Sequence, residues 1–129
     1  MNHWEGLNRR RFPRVHYPCL VVVRIGSDEP EMLLTHTQNI GRGGVGILIR
    51  KNLRLFTPVE LELDLMDLEN HVSCHGRVVW SVHRKKEETK GPQFYDVGIE
   101  FVDLKEVDAR RLEDTIFRVG RYEKRPQNP

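Results

Sequence analysis

Three stretches of this chain alternate apolar and polar residues with a period of two, and that pattern leaves few folds open. Val59, Leu61, Leu63 and Leu65 alternate with Glu60, Glu62 and Asp64. Val72, Cys74, Val78, Trp80 and Val82 alternate with Ser73, His75, Arg77 and Ser81, and Tyr95, Val97, Ile99 and Phe101 repeat the rhythm. Successive side chains of a strand point to opposite faces, so each stretch predicts a strand with one dry and one wet face. Cys19 to Ile25, bounded by Pro18 and by Gly26-Ser27-Asp28, reads as a further strand. Met32 to Ile40 and Val45 to Arg50 add two more. About six strands with no helix between them predict an all-β domain, a six-stranded antiparallel barrel closed or nearly closed.

The alternation stops after Phe101. Asp103 with Glu106 three residues later resembles a capping box, with aspartate in place of serine or threonine. Ala109, Leu112, Ile116 and Val119 then form one apolar stripe. Acids lie early in this segment and Arg118 lies late, as the helix dipole favours. A C-terminal helix over 103–120 is predicted, ending at Gly120, with its stripe covered by the barrel. The chain reads as a single domain: a flexible N-terminal segment over 1–17, the barrel over 18–102, the helix, and a loose tail over 121–129.

Charge and motif content exclude several classes of function. The 21 basic and 19 acidic residues leave a net charge of only +2, which argues against a DNA- or RNA-binding role. The sequence shows no apolar run of bilayer length and no leader, so a cytoplasmic protein without membrane insertion is expected. Cys19 and Cys74 are then expected as free, buried thiols. His71 and His75 flank Cys74, but on a strand the two histidines share one face and Cys74 takes the other. Surface histidines and no metal are the expectation. No nucleophile, base and acid stand in a catalytic pattern, so neither an enzyme nor a cofactor is expected.

Two motifs are left to explain. Asn39 to Gly46, Asn-Ile-Gly-Arg-Gly-Gly-Val-Gly, holds four glycines in eight residues and feeds the apolar run Ile47-Leu48-Ile49. Gly41-x-Gly43-x-x-Gly46 matches a dinucleotide fingerprint, but that loop works between a strand and a helix, and here a strand follows. Glycine content alone favours a tight hairpin turn. Upstream, Arg9-Arg10-Arg11-Phe12-Pro13-Arg14 gathers four arginines without an acid. Alone it reads as a solvated or nonspecific anion-binding patch. An arginine cluster paired with a glycine loop points to an anionic ligand with hydrogen-bonding edges.

Together the two motifs resemble those of the PilZ domain family, bacterial receptors for cyclic diguanylate (cyclic di-GMP). Arg10 to Arg14 is similar to the family's RxxxR motif, and Asn39 to Gly44 to its (D/N)xSxxG motif. Gly76-Arg77-Val78-Val79-Trp80 and Val97-Gly98-Ile99-Glu100-Phe101 also look like the family, and the resemblance covers roughly residues 9–119. One departure is plain: Gly41 stands where the family has serine.

The resemblance implies a six-stranded barrel with a C-terminal helix, binding cyclic diguanylate on its outer surface. It implies Arg9, Arg10, Arg11, Arg14, Asn39, Gly41, Arg42, Gly43 and Gly44 as ligand-binding residues. Trp80 has two readings. Its parity with Val78 and Val82 places it in the core, whereas in some family members an aromatic here lies against a guanine. The expected signal is ordering of segment 1–17 over the ligand, which alters contact with a downstream protein partner. The alternative is a degenerate member that binds no nucleotide and serves as a protein adaptor. An anion- or RNA-binding barrel is a third class, disfavoured by the near-zero net charge.

Overall fold

The computed structural model describes residues 14–84 and 91–124, the side chains of the last four excepted. Among the described residues, seven strands and one helix follow in order: β1 (Arg14–Val15), β2 (Leu20–Ile25), β3 (Glu31–Gly41), β4 (Gly44–Ile49), β5 (Pro58–Leu63), β6 (Val72–Arg84), β7 (Phe94–Phe101) and α1 (Glu106–Lys124). The sheet runs β3-β2-β5-β6-β7-β4 and closes through an antiparallel β3–β4 pairing. The six-stranded barrel is therefore present, with β1 as a short addition on β3. Closure removes the exposed edges that an open sheet of this size would carry.

The alternation sorts as expected on most strands. Val21 and Val23 of β2, Val45, Ile47 and Ile49 of β4, Val59, Leu61 and Leu63 of β5, and Val97 and Ile99 of β7 are all buried in one core. Cys19 and Cys74 are free and buried within it. Burial pushes the Cys74 thiol up to about 12, which keeps it protonated and unreactive.

On β6 the parity breaks. Val78 pairs with Ile99, but Trp80 pairs with Gly98, so Val79 is an extra residue in the ladder. Such a bulge flips every later side chain to the other face. Val72, Cys74 and Val78 point inward, while Trp80 is only half-buried and Val82 is exposed. The core placement that parity gave to Trp80 and Val82 is thus corrected. A period-two pattern carries no mark of where a residue has been inserted.

β1 is also unexpected, because residues 1–17 read as flexible. Arg14 pairs with Gly41 and Val15 with Ile40, and Val15 is buried. β1 continues the line of β2 along β3, and Pro18, which has no N–H, interrupts it. The buried Thr37 bridges the break: its hydroxyl accepts from the Cys19 N–H at 3.0 Å and donates to the Tyr17 carbonyl at 2.5 Å. The Tyr17 hydroxyl donates to the Leu65 carbonyl at 2.9 Å. Residues 14–17 are thus seated on the barrel by strand pairing and hydrogen bonds, and residues 1–13 lie outside the described part of the chain.

α1 lies against β1 and β3. Its stripe is the predicted one, with Ala109, Leu112 and Ile116 buried and Val119 half-buried. Its limits differ from 103–120. Asp103 does not cap the helix, because it accepts hydrogen bonds from the His75 backbone N–H and faces the His75 ring, both at 2.6 Å. Gly120 does not end it either. A glycine inside a helix costs only about 1 kcal/mol, and Gly120 lies close to Val15. Arg111 clamps the helix to the β5–β6 loop, reaching Asp67 at 2.9 and 3.0 Å and Asp108 at 3.1 Å.

Candidate functional site

The glycine motif folds as the end of β3, a two-residue turn at Arg42 and Gly43, and the start of β4. Asn39 sits opposite Gly46 on the outer face of this hairpin, and Ile40 and Val45 point into the core. Gly44 must be glycine because a Cβ there would strike the Ile99 carbonyl of β7. The Gly43 carbonyl accepts from the Phe101 N–H at 2.9 Å, which stitches the turn to β7.

Three side chains meet on the wall beside that turn. Arg14 of β1 donates from Nη1 to Asn39 Oδ1 at 2.7 Å. The Arg14 guanidinium also lies over the Trp80 ring, 5.5 Å from its centroid. At that range a guanidinium and an aromatic face attract each other. Trp80 reaches this wall because the Val79 bulge turned it outward.

Beneath them lies a floor of two glycines from adjacent strands, Gly46 of β4 opposite Gly98 of β7. A Cβ on Gly98 would overlap the six-membered ring of Trp80, and a Cβ on Gly46 would come within 3.0 Å of the Asn39 amide. Both side chains therefore lie flat on backbone. Gly46 and Gly98 both stand in the quoted motifs, but motif reading does not assign them the role of a floor. A glycine breaking a strand's alternation marks close approach of another group, and each does so here.

The electrostatics follow from that packing. Burial lowers the Arg14 pKa from 12.5 to about 10. The group stays cationic at neutral pH but has already lost part of its hydration. A cation in that condition gains more from an incoming anion than a fully solvated one does.

The other expected residues are placed less uniformly. Arg42 turns to α1, with Nε 3.1 Å from Glu113 Oε2. Gly41 pairs with Arg14, and Gly26 and Gly91 are the described glycines with positive φ, so Gly41 has ordinary strand-like geometry. Arg9, Arg10 and Arg11 lie outside the described residues. The histidines are apart from this wall: His71 Nδ1 is 2.8 Å from Glu62, and His75 pairs with Asp103. Among the described residues no group of three or more histidine, cysteine or acidic side chains is placed to hold a metal ion.

The class of protein so described is a small β-barrel whose outer wall brings together an arginine, an asparagine and a tryptophan. The sequence matches the PilZ domain over residues 8–118, and the chain belongs to the PilZ domain family. Among solved structures, the Bacillus subtilis inhibitor of motility MotI/DgrA is similar with a TM-score of 0.68 and 18% identity, covering 91% of this chain and 53% of that one. The PilZ domain of Escherichia coli YcgR, solved with c-di-GMP, is similar with a TM-score of 0.66 and 17% identity, covering 90% of this chain and 95% of that one. The K. pneumonia MrkH–c-di-GMP complex has a TM-score of 0.66 and 20% identity, covering 91% of this chain and 54% of that one. These are likenesses of fold, and this chain spans about half the length of MotI and of MrkH. No curated protein matches the sequence. No described helix is long and apolar enough to cross a membrane.

Proposed function

We propose that this protein is a receptor for cyclic diguanylate, bound on the outer wall where Arg14, Asn39 and Trp80 converge. The observation that carries the reading is the Arg14–Asn39–Trp80 cluster on its Gly46–Gly98 floor. Each part suits a guanine nucleotide. A planar guanidinium matches guanine O6 and N7, or a phosphate, with paired donors. The asparagine amide both donates and accepts, so it can read the guanine N1–H and N2–H edge. An aromatic face adds stacking worth about 1–3 kcal/mol per base. Arg10, at the other end of the RxxxR motif, joins Arg14 in the proposed site, with Arg9 and Arg11 as basic neighbours. The fold likeness to YcgR, whose PilZ domain was solved with c-di-GMP, supports the same reading.

The protein acts in this reading as a cytoplasmic receptor without catalysis, and its output is an altered contact with a protein partner. β1 is the natural relay, because it carries Arg14 on the wall and Val15 in the core beside α1. A second reading, an adaptor that binds no nucleotide, is favoured by Gly41 in place of the family's serine and by the Arg42–Glu113 ion pair. Calorimetry with cyclic diguanylate, cyclic diadenylate and GTP separates the two. Selective binding of cyclic diguanylate is expected, weakened in Arg14→Ala by roughly five- to 150-fold, the equivalent of one bidentate contact worth about 1–3 kcal/mol. Undetectable binding, or wild-type affinity in both Arg10→Ala and Arg14→Ala, overturns the receptor reading.

A further inference from the structure

A different wall of the barrel, made by β2 and the first half of β3, carries an apolar stripe facing solvent. Leu34 is 69% exposed, Met32 58% and Leu20 43%. They lie on the outer face of two adjacent strands: Leu34 opposite Val22, Met32 opposite Arg24, and Leu20 opposite His36. Cross-strand neighbours at such spacing touch, so these residues and the half-buried Val22 form one continuous patch. The core does not need them, because Val21, Val23 and Leu33 already supply it from the same strands. β3 pairs here with β2 alone, since its ladder to β4 begins at Thr37.

Acids border this patch on two sides. The β2–β3 turn presents the exposed Asp28 and Glu29, followed by Glu31, which binds Lys51 at 2.5 Å. Across Val22, β5 presents Glu60 and Glu62, and Asp64 follows its last residue. Arg24 at 3.6 Å and His71 at 2.8 Å pair with Glu62, and His71 also lies 3.8 Å from Asp64, which leaves six carboxylates against Arg24, Lys51 and His71. An apolar centre within an acidic rim repels phosphate backbones and anionic headgroups, and favours apolar anchors flanked by lysine or arginine.

We infer that this wall is a docking surface for a protein partner that presents a basic amphipathic segment, its apolar face seated on Leu34, Met32, Leu20 and Val22. The surface is distinct from the nucleotide wall, since Leu34 and Asn39 are five residues apart on β3, a span of about 17 Å. Both can be occupied together, and the inference stands whether or not the nucleotide binds.

The test uses the whole chain and two labelled synthetic peptides of about 18 residues, five helical turns. Both carry the same leucine face, one with lysine and arginine on its polar face and the other with glutamate. Fluorescence anisotropy should show binding of the basic peptide alone, weakening as salt rises. Leu34→Lys should reduce that affinity by roughly tenfold or more, as loss of a central anchor does, with an unchanged melting temperature because the residue is exposed. Glu60→Lys should weaken it as well. Equal binding of both peptides, binding of neither, or indifference to Leu34→Lys overturns the inference. So does Leu34-dependent capture by vesicles of phosphatidylglycerol and phosphatidylethanolamine, or a dimer in sedimentation that Leu34→Lys dissociates.

Discussion

Thr37→Val probes how β1, and with it Arg14, is held on the barrel. Valine nearly copies the shape of threonine but can neither accept from the Cys19 N–H nor donate to the Tyr17 carbonyl, as the hydroxyl does at 3.0 and 2.5 Å. Cys19 is fully buried, so its N–H loses its partner where water cannot replace it. A buried donor left without a partner costs about 1–3 kcal/mol. Tyr17 is half-buried, and a carbonyl short of one donor is tolerated better than an orphaned N–H, so it adds less. The sum is about 2–3 kcal/mol. For a domain of this length each kcal/mol lowers Tm by about 3–5 °C, so a fall of roughly 6–15 °C is expected. Thr37→Ser retains both bonds and loses one buried methyl, about 1 kcal/mol. Scanning calorimetry of the three proteins decides the matter. Thr37→Val within about 2 °C of wild type, or Thr37→Ser as damaging as Thr37→Val, refutes the argument that the hydroxyl repairs the break at Pro18. Cyclic diguanylate titrations below both melting temperatures should show weaker binding in Thr37→Val, because a loosened β1 no longer presents Arg14.

Further outcomes follow from the same geometry. Gly98→Ala places a methyl in the Trp80 ring and should move the indole off the wall, with a stability loss of about 1–3 kcal/mol; quenching of Trp80 fluorescence by acrylamide should rise, and unchanged quenching together with unchanged affinity speaks against the cluster. Gly41→Ser meets no positive-φ strain, so restoring one hydrogen bond should tighten cyclic diguanylate binding by roughly two- to twelvefold; weaker binding in a side-by-side titration would show that the site requires glycine by shape. The Asp103 carboxylate holds the His75 imidazole above its ordinary 6.5, and the His75 contacts hold Asp103 below 3.8. The stability from the raised His75 is complete below 6.5 and is lost as pH climbs through the raised value, while that from Asp103 is lost as pH falls through the lowered one. An NMR titration should find His75 above 6.5 in the wild type and back near it in Asp103→Asn.

The sequence by itself determined the architecture. Alternation at Val59–Leu65 and Tyr95–Phe101 assigns the inner face of those strands, and a period-two pattern has no other stable use. The stripe Ala109, Leu112, Ile116 and Val119 likewise fixed which face of α1 is buried, because helical spacing leaves one choice. The glycine motif was legible as a hairpin, since a strand followed it. What the sequence left open was anything set by insertion or by contact across strands. The Val79 bulge turns Trp80 outward, yet an extra residue in a ladder has no local signature; it is stable only because Gly98, on the neighbouring strand, leaves room for the ring. Asp103 looked like a cap by spacing, but His75, distant in sequence, supplied better partners. Arg14 to Tyr17 looked like part of a loose arm until Gly41 and Ile40 paired with its first two residues and Thr37 took the Tyr17 carbonyl. Local pattern governs which way a side chain faces within an element, while register, bulges and caps are decided by the free energy of groups that only the folded chain brings together.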